Sequence, residues 1–372
     1  MRRVKLLVFA HTPPPHHGQS YMVQLLLEGL KRSGEIQCFH VNSRFSDDFE
    51  DIGRVRLGKI ALVFKYCFQA IALRFRHGVR CIYYIPASPG RAALYRDWLT
   101  MALCRPFFST LIYHWEAAGL GEWLKQRGTA WERLVSRWLL GGPELSVVLA
   151  EYNRRDADCF RSKHTAIVPN GVPDPCAQRT PREKAAARPE IFNVLFIGLC
   201  TREKGIFDAM EGIALANSRD ANSRFRLLVA GGFWIEEEKV AFEKRMSELR
   251  FADGSPQVEY RGFVSGKAKE MLFEESDCLL FPTCYNAESF GIVLVEAMAH
   301  GLPVITTHWR MIPELLPKGY PFVVRPEAPL EIAEALPRLR AQGNQWNLRQ
   351  HYLDNFTERH FVEKMKAALL SV

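Results

Sequence analysis

Short apolar runs recur along the whole chain, with room for one helix between most of them. The runs are "VKLLVFA", "CIYYIPA", "STLIYHW", "LSVVLA", "FNVLFIG", "RLLVAGG", "CLLFPT" and "LPVITT", and helix-like segments such as Tyr21–Arg32 and Gly205–Asn217 lie between them. Strands that are apolar throughout are buried on both faces, and helices alternating with them make the covering layers of a parallel sheet. Two blocks open in this way, one with "VKLLVFAHTPPPHHGQS" and one with "FNVLFIGLCTREKG". The length of 372 residues suits two domains of ordinary size, and 48% apolar residues are enough to fill two cores. The expected fold class is α/β, with two doubly wound Rossmann-like domains facing each other across a cleft. Ligands belong between them, at the carboxyl ends of the strands.

The stretch Pro169–Glu190 carries five prolines and many polar residues, which marks it as the linker. The expected division is residues 1–170, a linker over 171–190 and a second domain over 191–349. Met1–Ala10 reads as a first buried strand and not as a signal peptide. No run of about 18 uncharged apolar residues suggests a spanning helix. Nine cysteines, an odd number with no C-x-x-C, read as reduced thiols in a cytoplasmic protein. No His/Cys/Asp set has the spacing of a metal site.

The charge is uneven. Residues 1–180 hold 25 Lys+Arg and 15 Asp+Glu, a balance of +10, and the remaining residues hold 24 and 26, a balance of −2. A basic first half suits an anionic membrane surface or a phosphorylated acceptor, and nothing points to nucleic acid. Within that half, Leu57–Arg80 places Leu57, Ile60, Ala61, Phe64, Phe68, Ile71 and Phe75 at helical spacing, flanked by Lys59, Lys65, Arg74, Arg76 and Arg80. This stripe either faces the core or lies on an anionic membrane. His16 and His17 read as loop residues, with acceptor contact as the alternative.

"NAESFGIVLVEAMAHGLPV" (Asn286–Val304) holds two glutamates, Glu288 and Glu296, with no charge among the seven residues between them. Ser289 is the expected N-cap of a helix over about Phe290–His300, and Gly301 with Pro303 ends it. Eight helical steps span roughly 12 Å. Paired carboxylates that cleave one glycosidic bond stand about 5–9.5 Å apart, so these two suit opposite ends of a long polyhydroxylated ligand. A sugar nucleotide has that outline, and a helix N-terminus can face its diphosphate. "GLCTREKG" adds Arg202 and Lys204 between Gly198 and Gly205, two cations in a turn that permits close backbone approach.

Together these stretches resemble the retaining, nucleotide-sugar-dependent GT-B glycosyltransferases of family 4. "LFPTCYNAESFGIVLVEAMAHGLPVITT" resembles the family's E-x7-E signature with its flanks. "THWRMIPELL", "VPNGV" and "YRGFV" resemble the segment after that signature, the domain junction and the loop beside the nucleotide base. "YLDNFTERHFVEKM" resembles the closing helix that returns to the first domain, here about 350–372. The resemblance implies that Glu288 bonds the donor sugar, Glu296 the ribose, and Arg202 and Lys204 the leaving diphosphate. It places His114 by the transferred sugar and Gly18 near the phosphates or acceptor. Ser289, Phe290 and Gly291 lie at the helix start, and Phe263 and Val264 lie beside the base. It implies no metal and no cofactor beyond a UDP- or GDP-sugar substrate. The expected acceptor is a lipid-linked glycan or polysaccharide, and the expected place is the cytoplasm, peripheral at the inner face of the plasma membrane. Two departures stand out: Leu199 occupies the position of a common arginine, and Met311 that of a common glycine. A sugar-nucleotide epimerase and a non-enzymatic two-lobed sugar-binding protein are the alternatives.

Overall fold

A computed structural model of the protein describes residues 4–14, 18–45, 57–177, 190–219, 224–343 and 345–372, with the backbone alone at 57–59. His16, His17, Lys59 and most of the expected linker lie outside the described residues or side chains. The chain divides into two compact units, Met1–Gly171 with Glu358–Val372, and Val172–Thr357.

The first unit is built on β1 (Val4–Phe9), β2 (Ile36–Val41), β3 (Cys81–Tyr84), β4 (Thr110–Trp115), β5 (Leu145–Val148) and β6 (His164–Ile167). All neighbours are parallel, in the order β2-β1-β3-β4-β5-β6. Its helices are α1 (Gly18–Ser33), α2 (Leu57–His77), α3 (Arg91–Cys104), α4 (Leu120–Arg127), α5 (Ala130–Leu140) and α6 (Arg154–Cys159). Successive strand residues point to opposite faces. Leu7, Phe9, Ile82, Tyr84, Tyr113 and Trp115 therefore pack with α2, α3 and α4, while Leu6, Val8, Tyr83, Ile112 and Val147 pack on the other side. Each such side chain contributes about 1.5–3 kcal/mol by leaving water, and both faces need helices to cover them.

The second unit has β7 (Phe192–Ile197), β8 (Phe225–Ala230), β9 (Val258–Tyr260), β10 (Cys278–Phe281), β11 (Val304–Thr307) and β12 (Val323–Val324), ordered β12-β11-β10-β7-β8-β9 and all parallel. Helices α7 (Ile206–Arg219), α8 (Glu236–Glu248), α9 (Gly266–Glu275), α10 (Ile292–Ala299), α11 (Pro329–Gln342) and α12 (Leu348–Asn355) accompany it. The closing segment is two helices and not one. In α12 the Tyr352 hydroxyl donates to Val172 O at 2.9 Å, and Arg349 pairs with Asp174 at 2.7 Å, which keeps this helix in the second unit. Only α13 (Glu358–Leu370) returns to the first, where Phe361, Met365 and Leu369 join the core under α1. A Cβ added at Gly29 of α1 would meet Val362 at 2.5 Å, so a small residue there lets the two helices close. Tyr21 donates to Glu358, and Lys366 reaches Glu35 at 2.7 Å.

Helix α2 corrects one reading of the sequence. Its core face is Val63, Tyr66, Cys67 and Ala70. The aromatic stripe lies beside that face and points outward: Ile60 is 42% exposed, Phe64 51%, Phe68 75% and Phe75 68%. Val63, Cys67, Ala70 and Tyr66, whose hydroxyl donates to Arg44 O at 2.9 Å, take the core side, which leaves the aromatic stripe on the surface. The helix stops at His77 because Gly78 takes φ 67°, a left-handed turn that leads into β3.

Candidate active site

In the second sheet the chain first adds β8 and β9 on one side of β7, then returns to add β10, β11 and β12 on the other. The order therefore reverses between β7 and β10, and in open α/β sheets the loops at the carboxyl ends of such a pair form the ligand crevice. Those loops are Gly198–Gly205 and Pro282–Gly291. They are joined through the backbone, the Cys284 N–H donating to Glu203 O at 2.8 Å. Gly205 is required at this junction: it has φ 82°, and a Cβ there would lie 2.2 Å from Pro282 O.

Each loop contributes one charged side chain to the same point. Lys204 Nζ lies 2.6 Å from Glu288 Oε2, and the Thr283 hydroxyl donates to the same oxygen at 3.3 Å. The Lys204 ammonium also lies 4.7 Å from the centre of the Tyr285 ring, close enough for a cation–π contact. Glu288 is buried and Lys204 half-buried, so their pairing is only partly screened by water.

Glu296 is in the second turn of α10, as its position in the sequence requires. Its partner is Lys269 of α9, at 2.6 Å, and its buried Oε2 has no hydrogen-bond partner among the described residues. Sequence reasoning missed Lys269. The available signal was the basic pair Lys267 and Lys269 opening the helix after "YRGFVS". The helix itself begins later than expected. Gly291 is its N-cap, with φ 69° and ψ 52°, and no side chain caps it, so Ser289 does not take that role. A glycine suits this left-handed position. Half of the eight steps from Glu288 to Glu296 precede the helix, so the helical rise does not measure the separation of the two glutamates. Phe290 is buried against Phe356, with ring centres 6.4 Å apart.

The other residues are more dispersed. Arg202 is exposed, with its guanidinium 4.6 Å from the Phe207 ring centre and its backbone N–H donating to Glu238 at 3.2 Å. Leu199 is half-buried beside Gly198. Phe263 is 81% exposed after β9, and Val264 follows it half-buried. Met311 is fully buried with φ −86°, a value open to any residue, while the neighbouring Arg310 takes φ 49°.

In the first unit, His114 lies within β4 and is buried, its ring stacked on Phe361 with centres 6.4 Å apart. Nδ1 is 2.5 Å from the Tyr83 hydroxyl. Burial pushes the imidazole down to about 3, so its 3.6 Å approach to Glu116 is not an ion pair. Glu116, two residues on, accepts from Asn170 at 3.2 Å, and burial pushes its carboxyl up to about 7. Gly18 is exposed at the start of α1. Among the described residues, no group of three His, Cys, Asp or Glu is placed to hold a metal, and no helix is long and apolar enough to cross a membrane.

A strand–turn–helix crevice with a Lys–Glu pair at the sheet reversal lies inside the segment that known proteins share. Residues 191–342 match the family "Glycosyl transferases group 1". This segment is similar to the domain that group 1 glycosyltransferases share. A 41.2 kDa protein in the cps region of Klebsiella pneumoniae is 32% identical over 130 residues, 35% of this chain and 31% of that protein. Mannosylfructose-phosphate synthase of Agrobacterium fabrum is 23% identical over 171 residues, 44% of this chain and 36% of its own length. The match therefore spans about a third of either relative. HepE of Anabaena, solved in complex with UDP, covers 99% of this chain and all of its own at a TM-score of 0.69 and 16% identity. That likeness is one of fold, and it extends the GT-B architecture beyond residues 191–342 to the first unit.

Proposed function

We propose that the protein is a retaining, metal-independent glycosyltransferase that moves a sugar, such as a hexose, from a nucleotide sugar to a lipid-linked glycan or polysaccharide. The observation that carries this reading is the Lys204–Glu288 pair, 2.6 Å apart at the β7/β10 reversal. A cation there can leave the carboxylate for a diphosphate, and the freed carboxylate can accept hydrogen bonds from sugar hydroxyls. Lys269 and Glu296 stand ready in the same way for the ribose, with Phe263 and Val264 beside the base. The UDP bound by HepE favours a uridine donor, with GDP as the other candidate.

No side chain is assigned as a nucleophile. The bond from the anomeric carbon to the leaving phosphate oxygen breaks as the acceptor oxygen bonds to the same face of that carbon. The acceptor proton passes to the leaving phosphate. Lys204, with Arg202 at the turn's exposed edge, holds the charge that develops. A fixed cation aimed at developing charge in a partly dry site contributes several kcal/mol. In this reading His114 belongs beside the transferred sugar and Gly18 near the phosphates or the acceptor.

The test is release of nucleoside diphosphate from a panel of UDP- and GDP-sugars, with and without glycan acceptors and with chelator present. Transfer with retained anomeric configuration is the expected result. Conversion of the nucleotide sugar without an acceptor, or loss of turnover in chelator, overturns the reading.

A further inference from the structure

Most large apolar side chains of the first unit are buried, but one side of its helical layer keeps several outside. On α2, Ile60, Phe64, Phe68 and Phe75 fall within about 80° of one another at 100° per residue. On α5, Trp131, Leu134 and Trp138 fall within about 60° by the same count, and are 54%, 69% and 75% exposed. These two stripes are linked at one end. The Phe75 ring meets the exposed Phe107 ring edge-on at 5.8 Å, and Arg74 donates to Phe107 O at 2.8 Å. Two residues earlier, Arg105 donates to the carbonyls of Trp138 and Leu139 at 3.3 and 2.8 Å. The turn Arg105–Phe107 thus ties the end of α2 to the end of α5. Side chains as large as these, gathered on one surface, are unusual for a patch left in water.

Charge selects what covers it. Residues 57–140 contain 12 Lys+Arg and 4 Asp+Glu. Three of the four acids, Asp97, Glu116 and Glu132, are buried, which leaves Glu122 as the exposed one. Lys65, Arg76 and Arg80 are exposed along or just beyond α2. Aromatic side chains bordered by cations, with carboxylates withdrawn, match the boundary of an anionic bilayer, where rings enter the headgroup layer and ammonium and guanidinium groups meet phosphates.

We propose that the outward faces of α2, α5 and the Arg105–Phe107 turn form one surface that docks on an anionic lipid bilayer. This surface stands apart from the transfer reading, since none of its residues takes part in the crevice of the second unit. The experiment is co-sedimentation of the full chain with vesicles of phosphatidylcholine alone or mixed with phosphatidylglycerol. Binding is expected to the mixed vesicles at low salt, falling at least about tenfold at high salt as the charges are screened. Phe68→Glu with Trp138→Glu is expected to lower binding at least about tenfold at every salt concentration, because both the inserted rings and the sign of the surface change. Lys65→Gln with Arg76→Gln is expected to lower it at low salt only. In the unaltered protein, lipids brominated on the acyl chain are expected to quench tryptophan emission, a readout that needs no variant. No binding at low salt, equal binding by the Phe68/Trp138 variant, or no quenching overturns the proposal. So does a self-associated state that the same variant dissolves while vesicles leave the protein in the supernatant.

Discussion

The carboxyl ends of the two sheets hold acids and bases in opposite electrical states. In the second unit, Lys204 and Lys269 each stand 2.6 Å from a glutamate oxygen, and these contacts are ion pairs partly open to water. In the first, His114 and Glu116 are buried together and burial works against charge on both, taking the imidazole down to about 3 and the carboxyl up to about 7. Two charged partners in a half-open site can exchange each other for an anion and a hydroxyl at small cost. In the first unit burial favours the neutral form of both groups, with the Asn170 amide offsetting part of the lost hydration of the Glu116 carboxylate. The second unit thus holds its acids and bases as ion pairs, while the first keeps His114 neutral and sets Glu116 to change its protonation state near pH 7.

The comparison breaks most sharply at Lys204. Lys204→Ala is expected to lower kcat about 100-fold or more in steady-state transfer assays, equivalent to about 3 kcal/mol of lost transition-state stabilisation. Near-normal turnover in the folded variant would remove the lysine from the chemistry. Next comes Glu116. Because its carboxyl is raised from 4.5 to about 7 in the folded protein, its contribution to stability is fully present below pH 4.5 and is lost as pH rises through 7. His114 runs the other way, its contribution being lost as pH falls from 6.5 toward about 3. Urea unfolding of the Glu116→Gln variant against the parent should therefore shift in the variant's favour by about 3 kcal/mol between pH 4.5 and pH 8. An unchanged difference between those two pH values would show that Glu116 ionises normally.

Smaller effects sharpen the division within the second unit. Glu296→Ala, which leaves Lys269 without its carboxylate, is expected to weaken binding of free nucleoside diphosphate about tenfold by calorimetry. This corresponds to about 1.4 kcal/mol, the scale of a hydrogen bond to a charged group. Glu288→Ala should leave that affinity nearly unchanged while reducing transfer. Equal losses in the two variants would merge the sugar and ribose ends. The smallest change expected is Thr283→Val, which removes one hydrogen bond to Glu288 and should cost about 1 kcal/mol or less in kcat/KM.

The second unit was the more legible in the sequence. Its turn residues lie within a few positions of the strands they follow, so Arg202, Lys204, Glu288 and Glu296 could be placed on loops and a helix by local patterns alone. The partners could not. Lys269 reaches Glu296 across 27 residues of chain, and the Lys204–Glu288 pair forms across 84, through packing that no local period encodes. The start of α10 was misread because a left-handed glycine, Gly291, displaced the serine that composition favours for a cap. In α2 periodicity detected an apolar stripe but could not orient it, since a second stripe, Val63, Tyr66, Cys67 and Ala70, lay beside it and took the core side. The stacking of His114 on Phe361 was hidden for a simpler reason: the two residues are 247 positions apart, and only the return of α13 brings them together.

That return has a consequence for biosynthesis. The inner side of α1 receives Phe361, Met365 and Leu369 from the final 15 residues of the sequence, after the whole second unit has been made. A chain emerging from the ribosome can assemble β1 to β6 early, but Leu25, Leu26 and Leu30 must wait for residues 358–372 to be made before their cover arrives. Vectorial folding, in which the earliest segment finishes first, is closed to this architecture. The first unit is sealed only after the second has been made, so a chain interrupted before residue 358 would leave the face of α1 open and exposed to quality control.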